Sequence, residues 1–212
     1  MRVPRQGRRS GADSGPGAVD GIGRTRIIVY PHTLELGGSQ LNAIEIASAV
    51  RDRGHEVVVF AQPGALAGRI AELGLDHVIA PRPRGRPTPK IVAALTGLAR
   101  RYRADVVHGY EWTTALEAYW GPRARLGTPS AVTVMSMAVA PFIPADMPLV
   151  AGYEQIVDAE RRAGRPDVTL IEPPVDVEAN APGIVETAAL RREHDLDPEA
   201  LTVVSVSRLA PS

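Results

Sequence analysis

The chain contains no cysteine, which excludes disulfides and thiolate chemistry and leaves a cytoplasmic setting unopposed. Lysine is nearly missing as well: Lys90 is the only one among 24 basic residues. With abundant Ala, Gly and Pro, that points to a coding bias and carries no function. The 24 basic residues meet 24 acidic ones, so no global field draws the protein to nucleic acid or to a membrane surface. No apolar stretch approaches the roughly 20 residues of a spanning helix. Several motifs are absent too. There is no G-x-G-x-x-G dinucleotide fingerprint, no Walker loop, no G-x-S-x-G elbow and no pair of residues at metal-ligand spacing. No internal repeat is evident.

What is present is an alternation of short apolar runs and helical stripes. The 212 residues suffice for one full domain and a fragment of a second. Residues 1–24, rich in Arg, Gly, Ser and Pro without an apolar stretch, read as a disordered basic tail or a misassigned start. Arg-phosphate binding is the alternative there. Arg26–Tyr30 is a β-branched run suited to a buried parallel strand. Leu41, Ile44, Ala47 and Val50 form one helical stripe, Gly54 suits a left-handed cap, and Glu56–Phe60 is a second strand. Further strands are expected at His77–Ala80, Asp105–His108, Ser130–Met135, Leu149–Ala151, Val168–Ile171 and Leu201–Ser205. Helices are expected at Leu66–Leu73, Ile91–Tyr102, Thr113–Trp120, Tyr153–Ala163 and Ile184–His194. Pro81–Pro89 is a stiff surface loop, since its prolines lack donors and restrict their neighbours. The pattern predicts an α/β fold, a Rossmann-like doubly wound parallel sheet. The expected domains are 25–183, a complete Rossmann-like unit, and 184–212, the start of another.

In such sheets ligands bind beyond the carboxyl ends of the strands. The segments LGGS, HGYEW, SMAVAPFIP and EPPVD all fall there, so one cleft is expected. Gly37 and Gly38 precede a helix whose N-terminal amides, with Ser39 as expected cap, can receive a phosphate or carboxylate; a plain passage from loop to helix is the competing reading. His108 is placed at a strand end, where an imidazole can orient a hydroxyl or carry a proton. Glu111 can bind sugar-like hydroxyls, and Trp112 can offer a flat surface to a ring. A capped histidine and a core tryptophan are the alternatives. His55, at the start of a strand, reads as structural. His32 can reach the cleft or face solvent, and His77 and His194 read as surface residues. Asp105 reads as a cap and Asp176 as a turn residue.

GGSQLNAIEIASAVRDRGHEVVVF resembles the first βα crossover of the family 4 group of retaining GT-B glycosyltransferases. ADVVHGYEW is similar to that family's strand-four segment. VTLIEPPVDVEANAP resembles its interdomain passage, and VVSVSRLAPS the first strand of its second domain. The resemblance runs from about Arg26 to the terminus. It implies metal-independent transfer of a sugar from a nucleotide-sugar to an acceptor hydroxyl, with no cofactor, in a cleft between two Rossmann-like domains. On that resemblance Gly37 and Gly38 match the glycine loop near the donor diphosphate, and Arg208 matches the arginine that binds the donor phosphates. Many members carry a histidine where this chain has Met135, followed by Ser136. That departure leaves the catalytic residue unassigned, with His108 as candidate.

The family's paired glutamates and lysine, which grip the donor, are not in this sequence. The expectation is therefore a GT-B half with the first strand of the second half. It would show little activity alone and work within a longer chain or with a separate donor-domain subunit. A non-catalytic Rossmann-like module that holds a sugar or a partner protein is the alternative, and a nucleotide-binding regulator a weaker one.

Overall fold

A computed structural model describes residues 23–204 except Arg86, Ala179, Val185, Pro198 and Glu199. Most of the tail assigned to 1–24, as well as Arg208, lies outside the described residues. The chain divides into two units, one ending at Pro173 and the other beginning at Pro174.

The first unit is built in chain order from β1 (Arg26–Thr33), α1 (Gly38–Asp52), β2 (Glu56–Gln62), α2 (Ala67–Glu72), β3 (Asp76–Ile79) and α3 (Pro89–Tyr102). It continues through β4 (Val106–Tyr110), α4 (Glu111–Ala118), a π-helical turn (Tyr119–Arg123), α5 (Ala124–Leu126), β5 (Ser130–Val134), β6 (Leu149–Ala151), α6 (Glu154–Arg162) and β7 (Val168–Leu170). The seven strands form one sheet in the order β3-β2-β1-β4-β5-β6-β7, and every pairing is parallel. The expected Rossmann-like doubly wound sheet is therefore present. Strand order reverses between β1 and β4, the crevice where open α/β sheets bind ligands.

Alternation along the strands sorts the core into two layers. Ile28, Tyr30, Val107, Val132 and Leu149 pack with Ile91 and Leu95 of α3 and Ala115 of α4. Val29, Val59 and Tyr110 pack with Ile44 and Ala47 of α1 and Ile70 of α2. Full burial of one such aliphatic side chain contributes about 1.5–3 kcal/mol, so both layers are substantial. Asp105 ties the sheet together at its other end: it accepts the Arg26 backbone N–H at 2.8 Å and pairs with the Arg26 guanidinium. That guanidinium holds the Asp105 carboxyl below its usual value.

Several local expectations change. β1 runs past Tyr30 to Thr33, but its register with β2 slips between Val29 and His32. Pro31 supplies no ladder N–H, and His32 takes φ 58°. β4 continues to Tyr110, so His108 lies within the strand, opposite Val29 and Ala131. α3 begins at Pro89, where its fixed φ suits the first helical position and its missing N–H costs nothing. The helix expected over Thr113–Trp120 starts earlier and opens into the π-helical turn, which contains Pro122.

In the second unit, α7 spans Ala188–Glu193, shorter than the expected Ile184–His194, and none of its residues is buried. Gly183, at φ 85°, belongs to the turn that precedes it. The strand expected at Leu201–Ser205 is not formed over Leu201–Val204; Ser205 lies outside the described residues. Val203 and Val204 meet no partner strand among the described residues, and both stay exposed with Leu201. Arg191 instead holds this segment irregularly, donating to the carbonyls of Asp197 and Ala200 and to Thr202 Oγ1. Asp176 does fix a turn, accepting the Glu178 N–H at 3.1 Å.

Candidate functional site

The carboxyl ends of β1, β4, β5 and β6 open on one rim of the first unit. At the end of β1, Gly37 caps α1 in extended conformation with no side-chain hydrogen bond. This replaces the expected Ser39 cap: Ser39 lies in the first turn, and its buried hydroxyl has no hydrogen-bond partner. The first turn of α1 contains no acidic residue, and its leading amides have no partners within the helix. Those amides and the helix dipole favour an anion. A Cβ on Gly38 would meet nothing within 4 Å, so the backbone there is open to close approach.

Gly64, which the sequence did not flag, shapes the same corner. A Cβ there would strike the carbonyl group of Leu34 and the amide of Glu35. Leu66 donates its N–H to Leu34 O at 2.7 Å, which fixes the β2–α2 connection against the loop after β1.

Across the switch point, Glu111 opens α4 with φ 67°, an uncommon region for a residue with a Cβ. The carboxylate explains what holds it there. The Met135 N–H donates to Oε1 at 2.9 Å and the Ser136 hydroxyl to Oε2 at 2.5 Å. Glu111 thus seizes the chain as it leaves β5. Each carboxylate oxygen keeps further acceptor capacity, so sugar-type hydroxyls can still bind. Trp112 stands beside it, edge-on to Phe142 with ring centroids 5.3 Å apart. Glu111, Trp112 and Ser136 border one small depression with Ile143.

His108 sits below this group. Its Nε2 shares a hydrogen bond with Thr133 Oγ1 at 2.7 Å, and its ring packs on Tyr110 at 4.7 Å. Part of the ring remains accessible, yet the enclosing groups hold its pKa down to about 4 through desolvation. The imidazole is neutral at neutral pH and can relay or orient a hydrogen bond. Burial likewise pushes the Tyr110 phenol up. Among the other histidines, His55 Nδ1 accepts the Thr25 N–H at 3.2 Å, a structural role, and His77 Nε2 bonds Ala61 O at 3.0 Å.

The loop between β5 and β6 is fastened from beneath by Arg165, which sequence reasoning did not single out. This buried guanidinium donates to Glu160 at 2.9 Å and to the carbonyls of Ile143, Pro144 and Met147. No local pattern announces such a residue, because its partners are carbonyls some 20 positions away. The structure thus brings Glu111, Trp112, Met135 and Ser136 together and puts Gly37 and Gly38 at the neighbouring strand end. No helix among the described residues is long and apolar enough to cross a membrane.

A Rickettsia africae glycosyltransferase structure superposes with TM-score 0.62 at 13% identity, covering 84% of this chain and 51% of that one. The structure of Anabaena HepE in complex with UDP and glucose superposes with TM-score 0.57 at 16% identity, over 81% and 50%. At these identities the likeness is one of fold. A D-inositol 3-phosphate glycosyltransferase from Actinosynnema mirum is 28% identical, covering 88% of this chain and 54% of the relative. The chain spans about half the length of these proteins. A family model described as a glycosyl transferase 4-like domain matches residues 37–172, more than half of the chain, and the protein belongs to that family.

Proposed function

We propose that this chain forms the acceptor-side half of a glycosyltransferase that moves a hexosyl group from a nucleotide-sugar to an acceptor hydroxyl. The bond from the anomeric carbon to the donor phosphate breaks, and its electron pair leaves with the nucleoside diphosphate. A bond from the acceptor oxygen to that carbon forms with retention, and the acceptor proton passes to the departing phosphate or to water. No metal takes part in this scheme.

The observation that carries the reading is the pairing, at one switch point, of an anion-favouring helix start at Gly37–Gly38 with the Glu111–Ser136 group across it. The first suits a diphosphate and the second a hydroxyl. The relative's transferase name and the UDP and glucose of the fold neighbour's complex support the transfer reading. Most donor contacts belong to a second Rossmann-like domain, supplied by further chain or by a separate subunit, with Arg208 contributing to the donor phosphates at its start.

The test is a transfer assay with labelled nucleotide-sugars and a panel of hydroxyl acceptors, with and without EDTA. Product anomers are read by NMR. The chain alone should turn over far below the roughly 10 per second of a median enzyme. Product formed with a donor domain added should be EDTA-insensitive and of retained configuration. Full turnover by the chain alone would overturn the half-enzyme reading. Acceptor binding without transfer under any pairing would favour the non-catalytic sugar-binding module.

A further inference from the structure

We infer that the acceptor is a neutral amphipathic molecule whose apolar portion lies in a cleft beside Glu111 and Ser136, an inference that rests on the transfer reading above. The cleft, about 530 Å³, lies between the β5–β6 loop and α6. That volume is in the range of small-molecule sites. Met137, Val139, Tyr153, Ile156 and Ala159 supply its apolar wall, with Gln155 and Glu160 as its polar groups.

Three observations select the ligand. First, large apolar side chains stand uncovered around the cleft and the adjoining depression: Met137 is 78% exposed, Phe142 54%, Tyr153 40% and Trp112 38%. Scattered exposed apolar residues are ordinary, but a group of them around a concavity marks a binding surface. Second, no arginine or lysine lines the cleft among the described residues. Arg165, the partner of lining residue Glu160, is committed to that carboxylate and three carbonyls. It neutralises the one acidic lining residue and has no face left for a phosphate. Third, the cleft and the depression that holds Glu111 and Ser136 share Ala138 as a lining residue. An acceptor can therefore present its hydroxyl to Glu111 and Ser136 while its apolar part runs along Met137 and Ile156. A small, multiply charged polyol phosphate finds no counter-charge among the lining residues.

The probes are n-octyl β-D-glucoside below its micellar concentration, methyl β-D-glucoside and inositol monophosphate, titrated calorimetrically into the full chain. Each methylene buried should tighten binding about fourfold. Octyl glucoside should therefore bind at least tenfold more tightly than methyl glucoside, with a negative heat-capacity change. Inositol monophosphate should bind no better than methyl glucoside. Ala159→Trp, at an exposed helix position, fills the cleft and should weaken octyl glucoside at least tenfold while leaving the melting temperature unchanged. Met137→Asp should weaken it through charge instead, which guards against a local rearrangement in the first variant. Equal affinity for the two glucosides, preference for the phosphate, or unchanged octyl glucoside binding in both variants would overturn the inference. These are binding measurements, so they separate from turnover. Chain-length preference without donor-dependent product would defeat the transfer reading alone, and product without chain-length preference would defeat this inference alone.

Discussion

Glu111 and His108 show how two polar residues three positions apart are put to different uses by depth. Glu111, at the rim, accepts a left-handed backbone because its carboxylate gains the Met135 amide and the Ser136 hydroxyl. Strain of this kind costs about 1–3 kcal/mol and persists only where the surroundings fix it. His108, in the strand, is kept neutral by its neighbours, and that has a measurable consequence. An unfolded histidine takes up its proton near pH 6.5, whereas folded His108 does so only near pH 4. Between those values the unfolded chain binds more protons, so stability is fully present above pH 6.5 and is lost as pH falls toward 4. The loss assigned to His108 is on the order of 2 kcal/mol, allowing for the accessible part of its ring. Urea midpoints measured across this window should fall less in His108→Gln than in the parent chain; parallel curves would show that other groups set the dependence.

At the scale of elements, the strands and helices of the first unit were legible because their signals are local: β-branched runs, a stripe at helical spacing, prolines that bar regular structure. What was not legible depended on partners distant in sequence. β4 runs two residues beyond the apolar stretch because β1 and β5 offer ladders to Gly109 and Tyr110. Arg165 could not be read at all, since the carbonyls it gathers are ordered by the loop it orders. Leu201–Val204 shows the converse, a sound strand pattern with no neighbouring strand to complete it. Of the candidate site, LGGS and SMAVAPFIP follow β1 and β5 as expected, but HGYEW begins inside β4, and the depth of His108 and the grip of Glu111 on β5 were not visible. Gly38 and Gly64 make a paired test of the glycine corner. Gly64→Ala pushes a Cβ into backbone that cannot rotate aside and should cost about 1–3 kcal/mol, lowering the melting temperature by several degrees. Gly38→Ala meets open space at a helix start and should leave the melt unchanged or raise it, by up to about 1 kcal/mol. Thermal melts followed by circular dichroism decide both, and equal destabilisation by the two would contradict the assigned corner.

For the whole molecule, both buried layers are composed of residues from the first unit, whereas α7 of the second buries none of its own. A chain ended after Pro173 should therefore keep a cooperative thermal transition within a few degrees of the full protein. Loss of cooperativity in calorimetry would show that the later residues complete the core. The position of β1 also bears on how the protein is made. β1 meets β2 soon after it is synthesised, but its other edge waits for β4, and the Arg26–Asp105 tie closes across 79 residues. At the 5–20 residues per second of a working ribosome, that is on the order of ten seconds. Throughout that interval the edge of β1 that will face β4 stays open. The switch-point crevice does not exist until the wait is over, so the surface that defines the binding site is also the seam most exposed to error during birth.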